Sequence, residues 1–438
     1  MTVRVGDVLP PEHLVHFVVF VIGQLDLSAI YQKYAPLGGP PYAPEILLGL
    51  LFYGYATGVF SSRQIEEKSK ESIPFRFIAG GFEPDHSTIA DFRKDNLAEI
   101  KELFVQILVV ASELGMLELG NISLDGTKIH ADASKSKAIS YKRLLELESQ
   151  LQAEVEELFA LAEKAERETI PAGMVIEDEA ALRQERLAQL AKAKAVLAAR
   201  AEARYELERA EYEAKLRERE AKEKARGRKL GGRKPKPPTP GARDKDQYNF
   251  TDPDASIMKN SNNQGFDQHY NAQAAVDQSS SLIVGNTLSD HPNDKQEAVP
   301  TLEAIPTEQI GQPSAAALDN GYFSQANIEA FEARGVDPYL ATGREAHHQS
   351  WPEFFAGHPD PPAEDASPKE KMAYKLQTQI GQAVYRLRKS TVEPVIGIIK
   401  EVLGFRQFSL RGLLKAAGEW NLVCIAFNLK RMHTLSYS

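Results

Sequence analysis

The chain has 438 residues, 42% of them apolar, enough for two or three domains with real cores. Its single cysteine, Cys424, excludes a disulfide framework and any cysteine-based zinc site, and fits a reducing cytosol. The net charge of −9 argues against a nucleic-acid partner only as an average. Acidic residues concentrate between about 146 and 221, whereas from Lys375 onward ten Lys/Arg face three Glu (Glu393, Glu401, Glu419).

No basic, apolar and small-residue leader opens the chain. The apolar runs HFVVFVIG (16–23) and ILLGLLFYGYATGVF (46–60) fall short of a bilayer span and read as buried helices. Residues 1 to about 115 read as all-helical. Ser61 and Gln64 have capping-box spacing at the start of SSRQIEEKSKE, and Thr88 and Asp91 repeat it in STIADFRKDN. Short helices with tight turns suit a helix-turn-helix-like DNA module, with Arg63, Lys68, Lys70, Arg93 and Lys94 as phosphate candidates. A helical packing or dimerisation domain accounts for the same pattern.

In NISLDGTKIHAD (121–132), Ile122 and Leu124 alternate with polar residues as in a half-buried strand. Asp125 then stands where a neutral residue would cost less, and a glycine follows it. Residues 141–168 and 179–225 are rich in Ala, Glu, Leu, Lys and Arg, with helical apolar spacing and i,i+4 charge pairs. The Ile170-Pro171-Ala172-Gly173 break between them predicts a long antiparallel helical hairpin. The basic run 222–238 reads as a flexible linker, either solvated or touching DNA.

From Tyr248 the pattern turns to strands. HYNAQAAVDQ (269–278) and SLIVGNTLS (281–289) form a predicted β-hairpin. AAALDNGY (315–322) is a small-residue strand ending at Asp319, SQANIEAFEARG (324–335) an amphipathic helix, and VDPYLAT (336–342) a further strand. After a polar, Pro-rich stretch (349–368) the chain is helical almost to its end.

Asp125 and Asp319 each close an apolar strand and are each followed closely by glycine, at the sheet edge where α/β proteins bind ligands. Glu393 lies between Arg388 and Lys400 in YRLRKSTVEPVIGIIK (385–400). Two or three converging carboxylates suit Mg²⁺, and a pair of ions can activate an attacking oxygen and stabilise a leaving one. Lys400 is seven residues beyond Glu393, about two turns of one helix, so both would face the same way. Arg388 offers a bidentate fork for phosphate, and Tyr385 can stack on a base or donate to a phosphate. Other readings stay open. Asp319 fits a DNG turn, and Glu393 is spaced from Ser390 as a capping-box partner, with Pro394 disfavouring helix at the residue before it. Asp252, Asp254, Asp277 and Asp290 are rival carboxylates. His130, His269 and His291 lack metal-ligand spacing.

ISLDGTKIHADASK (122–135), YNAQAAVD (270–277), LDNGY (318–322) and the Tyr-x-x-Arg…Glu…Lys pattern of 385–400 together resemble bacterial insertion-sequence transposases of the DDE type. PPYAPEILLGLLFYGY and DHSTIADFR are similar to the helical domain that precedes catalysis in these enzymes. The resemblance implies an α+β or α/β fold: an RNase H-like mixed sheet flanked by helices, with a helical N-terminal domain (1–115). The catalytic domain would begin at 116–140 and resume at 245–438, interrupted by a helical-hairpin insertion and basic linker (141–244). It implies a catalytic and metal-binding triad of Asp125, Asp319 and Glu393, two Mg²⁺ (or Mn²⁺), and DNA contacts from Tyr385, Arg388, Lys400 and the flanking Lys128. Cleavage at terminal inverted repeats and joining by the freed 3′-OH would follow, in a cytoplasmic, nucleoid-associated homodimer. A nuclease without strand transfer and a non-catalytic DNA-binding descendant are the alternatives. Two departures stand out: four residues separate Arg388 from Glu393 where some relatives have three, and the hairpin follows the first strand.

Overall fold

The computed structural model describes residues 8–34, 42–165, 176–229, 231–232, 234–260, 265–343, 361–363 and 365–437. It divides into two compact units, Met1–Asp132 with Ile257–Ser438, and Ala133–Ser256. Among the described residues no helix is long and apolar enough to cross a membrane.

The first unit opens with helices Leu14–Ile22, Ser28–Tyr31, Pro44–Ala56, Ser62–Glu71, Ile73–Ala79, His86–Asp95 and Leu97–Glu113. Pro44–Ala56 starts with proline, whose missing N–H costs nothing in a first turn, and is buried on nearly every side. The C-terminal helix Leu413–Leu435 packs against it, against Leu97–Glu113 and against the sheet, which is why Leu422–Leu429 is buried without an exposed stripe.

Both predicted capping boxes are corrected. Ser61 precedes its helix but its side chain makes no cap bond. The second helix begins at His86, and Asp85 caps it by accepting from the Ser87 and Thr88 amides. Arg93 is also corrected as a phosphate candidate. It is buried, its Nη1 donates to the Tyr55 hydroxyl at 2.7 Å and to the Phe60 carbonyl, and it lies 3.9 Å from Glu419. Lys70 pairs with Glu66 at 2.7 Å, while Arg63, Lys68 and Lys94 are exposed.

The main sheet is mixed. Strands β1 (Asn121–His130), β5 (Phe266–Asp277) and β6 (Ile283–Ser289) are successive antiparallel neighbours, and β4 (Ser256–Lys259) also borders β5. On its other edge β1 runs parallel to β7 (Ala315–Leu318), which runs parallel to β8 (Asp337–Leu340). Helix Gln325–Ala333, capped by Ser324, connects those last two strands. From Gln268 to Asp277 every β5 residue is buried or close to it, because β5 has strand neighbours on both edges. This mixed α+β arrangement is compatible with an RNase H-like DDE domain.

In the second unit, helices Tyr141–Ala165 and Ile176–Arg226 meet along Leu144, Leu151, Leu190, Ala193 and Leu197. Lys194–Glu148 (2.7 Å) and Arg183–Glu154 (2.8 Å) pair in antiparallel order. A small sheet of β2 (Ala138–Ser140) and β3 (Gln247–Asn249) accompanies them. The predicted Ile170–Gly173 break lies outside the described residues, as does most of the Pro-rich stretch 349–368. The run expected to be a linker is helical as far as Arg226.

Candidate active site

Successive side chains of a strand alternate faces, so Ser123 and Asp125 share one face of β1. Helix Gln379–Gly397 docks there: Thr391 Oγ1 lies 2.8 Å from Ser123 Oγ, with both residues buried. Arg388 precedes Thr391 by about one helical turn and so projects along the same face. Its Nη1 donates to Asp125 Oδ2 at 3.1 Å and its Nη2 to Glu393 Oε1 at 2.9 Å. Arg388 Nε is buried without a partner among the described residues.

Leu124 and Leu318 are register partners in adjacent parallel strands. Asp125 and Asp319 are the next residues along each and stand side by side where the β1–β7 pairing stops. β1 itself runs on to His130, so the reading of Asp125 as the closing residue of its strand is corrected. Asp319 Oδ1 accepts the Gly321 amide at 2.7 Å, so the turn reading of DNG and its place beside Asp125 both hold. Asp125 Oδ1 accepts the Gly126 amide at 2.8 Å. Burial pushes the Asp125 carboxyl up to about 7; Arg388 pulls it down, and the charges of Asp319 and Asp294 add to the rise. Burial also raises Asp319, against the Gly321 amide and Arg388.

Glu393 reaches this group through Arg388 and is half exposed. Among the described residues no three His, Cys, Asp or Glu side chains converge closely enough to hold a metal ion. The Asp125–Asp319 pair nonetheless fits one: the donors are carboxylate oxygens, as hard divalent ions require, and a guanidinium is seated against Asp125 as a positively charged stand-in.

The capping reading of Glu393 is overturned. The helix starts at the Thr378 cap and runs through Pro394, so Glu393 is an interior helical residue. The shared face of Glu393 and Lys400 is also corrected. A π-helical turn over Ile398–Val402 breaks the 3.6-residue spacing, and Lys400 Nζ donates to the Lys128 carbonyl at 2.9 Å. Burial lowers the Lys400 pKa. Lys128 Nζ lies 3.4 Å from the Lys259 carbonyl. Tyr385 packs against Ala315, Ala317, Tyr339 and Val384, with its ring 5.9 Å from the Arg388 guanidinium carbon. Both terminal nitrogens of Arg388, the expected phosphate fork, are directed at carboxylates here.

Among the rivals, Asp277 is a turn residue that accepts from the Ser279 and Ser280 amides and hydroxyls. His130 and His269 stack at 4.3 Å, and His291 bonds Glu297 at 2.6 Å. Sequence reasoning missed Asp294, in the loop after β6. Its Oδ1 accepts from Asn271 Nδ2 at 2.8 Å and Gln273 Nε2 at 2.9 Å. Neither periodicity nor motif spacing marks it. The signal available was indirect: a glycine soon after each aspartate means that something needs the room.

The mixed sheet, with Asp125 on β1 beside Asp319 just past β7 and met by a late helix carrying Arg388 and Glu393, is compatible with a DDE domain. Comparison with protein families agrees. The Transposase domain (DUF772) model matches residues 3–95, and the Transposase DDE domain model matches residues 363–433. The second match includes Tyr385, Arg388, Glu393 and Lys400; neither reaches Asp125 or Asp319. No curated protein and no solved structure matches the chain. The two family matches support the recognition of this chain as an insertion-sequence transposase of the DDE type.

Proposed function

We propose that the protein binds the terminal inverted repeats of its own element, cuts there and joins the freed ends to target DNA. Asp125, Asp319 and Glu393 are the catalytic carboxylates in this reading. The observation that carries it is the side-by-side placement of Asp125 and Asp319, with Arg388 linking Asp125 to Glu393. Asp125 and Asp319 would hold Mg²⁺ or Mn²⁺, with Glu393 completing the set once Arg388 lets go of it. When bound, the metal pair supplies charge stabilisation for both the attacking and the leaving oxygen.

The reaction has two displacements. A water oxygen attacks the phosphorus at the element's end, the P–O3′ bond breaks, and a 3′-OH and a 5′-phosphate result. That 3′-OH then attacks a target phosphodiester, forming a new one and releasing the target strand's own 3′-OH. Before DNA arrives, Arg388 balances the buried carboxylate charge; with DNA present it turns to a phosphate, and Tyr385, Lys400 and Lys128 add further contacts to the backbone. The active form would be a homodimer in the cytoplasm, associated with the nucleoid.

The test is incubation with DNA carrying the element's ends, in Mg²⁺ or in EDTA, with the cut positions mapped. Mg²⁺-dependent nicks at the element boundary that leave 3′-OH ends are expected. Cleavage without joining would support a plain nuclease. Binding without either reaction, unchanged in Asp125→Asn, would reduce the protein to a DNA-binding module.

A further inference from the structure

Asp294 is held more firmly than a loop carboxylate needs. The two amides donating to its Oδ1, from Asn271 and Gln273, are both buried on β5. Gln273 Oε1 in turn accepts from the buried Tyr322 hydroxyl, three residues beyond Asp319. The Glu297 amide bonds the Asp294 carbonyl at 2.9 Å, and Asn327 bonds the Lys295 carbonyl, so the loop is tied on both sides.

The glycines explain why this position matters. A Cβ on Gly126 would lie 2.8 Å from Asp294 Oδ1 and would collide with the Gln273 amide. A Cβ on Gly321 would come 3.4 Å from Asp294 Oδ2 and 2.9 Å from Asp319 Oδ1. Real Cβ atoms do not come within 3 Å of a neighbour without something shifting, so Gly126 clears the space in which the Asp294 carboxylate and its Gln273 partner sit. Gly321, by contrast, makes room for the Asp319 carboxylate and leaves Asp294 at ordinary contact distance. On β1 the Cβ direction of Gly126 is opposite to that of Asp125. Asp294 thus approaches from the sheet face away from Arg388.

We propose that Asp294 is a positioning residue of this site: a fixed negative charge, seated against those two glycines, that strengthens divalent-cation binding by Asp125 and Asp319. The inference rests on the reading of that pair as the metal site. Asp294 need not touch the cation. Held by two buried amides and itself partly buried, it acts through space, where the effective dielectric is below that of water.

The test is titration of the DNA-free full chain with Mn²⁺, following free Mn²⁺ by electron paramagnetic resonance. Asp294→Asn keeps an oxygen for both amides and removes only the charge, and should weaken Mn²⁺ binding about tenfold. Asp294→Ser, smaller and also neutral, gives the same readout if the first variant does not fold. Asn271→Ala keeps the charge and loses one anchor, and should stay within about twofold of the unaltered protein. Unchanged affinity in the neutral Asp294 variants overturns the proposal. So does an equal loss in Asn271→Ala, which would mark the network as merely structural. Asp125→Asn separates the two levels: if it too binds Mn²⁺ as before, the metal-site reading itself fails and this inference falls with it.

Discussion

Two arginines read from the sequence as phosphate contacts both turn out to be buried against carboxylates, and their surroundings differ in an instructive way. Arg93 belongs to a closed cluster. Its carboxylate partner Glu419 is fully buried and accepts from the Tyr55 hydroxyl at 3.0 Å, the Ser409 amide at 2.8 Å, the Leu410 amide at 3.0 Å and the Ser409 hydroxyl. Arg388 belongs to an open one, in which Glu393 is 46% exposed and Asp125 has a carboxyl pushed up to about 7. A fully satisfied buried carboxylate fixes helices in place. One whose charge is poorly compensated by protein alone is poised to take another cation.

Breaking each cluster should separate the two roles, and the closed one should cost more. Glu419→Ala leaves the Tyr55 and Ser409 hydroxyls and two amides without their acceptor and Arg93 without its counter-charge, and should destabilise by about 3–5 kcal/mol in denaturant titration. Glu393→Gln, at the solvent edge, should cost less than about 1 kcal/mol. If the two losses are equal, the contrast is false.

The arginines extend the comparison. Mg²⁺ should restore Arg388→Gln, because a divalent ion takes over the guanidinium's task beside Asp125. At a hundredfold excess over its dissociation constant, ligand linkage supplies about 2.7 kcal/mol. Arg93→Gln should gain no more from Mg²⁺ than the unaltered protein does, as followed by thermal denaturation with and without EDTA.

A smaller effect concerns pH. Because burial raises the Asp125 carboxyl, its stabilising contribution is complete below the ordinary carboxylate range near 4 and is lost as pH rises through about 7. In EDTA, stability attributable to this group should therefore fall between about pH 4 and 7, and Asp125→Asn should flatten that fall. Divalent binding should run the other way, strengthening as the carboxyl loses its proton. Smallest of all, Lys400→Met removes one hydrogen bond to the Lys128 carbonyl, worth about 1 kcal/mol, and should lower the salt dependence of DNA binding by roughly one phosphate contact.

Much of the sheet was legible because alternation and burial are local properties. The β5–β6 hairpin, β7 and β8 lie within a few residues of where periodicity placed them, and β1 starts where expected but runs five residues past Asp125. Asp125 and Asp319 drew attention for a related reason, as charges directly after apolar strand residues with a glycine close behind, although Asp125 lies inside β1 and not at its end. The direction in which a cation points was not legible. Arg93 and Arg388 each face a carboxylate, Glu419 and Asp125, that is more than 250 residues away in the chain. Asp294 was invisible because a loop has no period, and its neighbours Gly126 and Gly321 come from the middle of β1 and the turn after β7. Lys400 was misplaced by a single π-helical turn, which composition does not announce.

The most direct test of the account uses ends already cut to a 3′-OH, so that only joining is measured. The unaltered protein with Mg²⁺ should insert them into a supercoiled plasmid. Asp125→Asn, Asp319→Asn and Glu393→Gln should each lose joining by roughly a thousandfold or more while still binding the ends, since each removes charge stabilisation worth several kcal/mol. Joining that persists at full rate in Asp125→Asn or Asp319→Asn would contradict the assignment of this site.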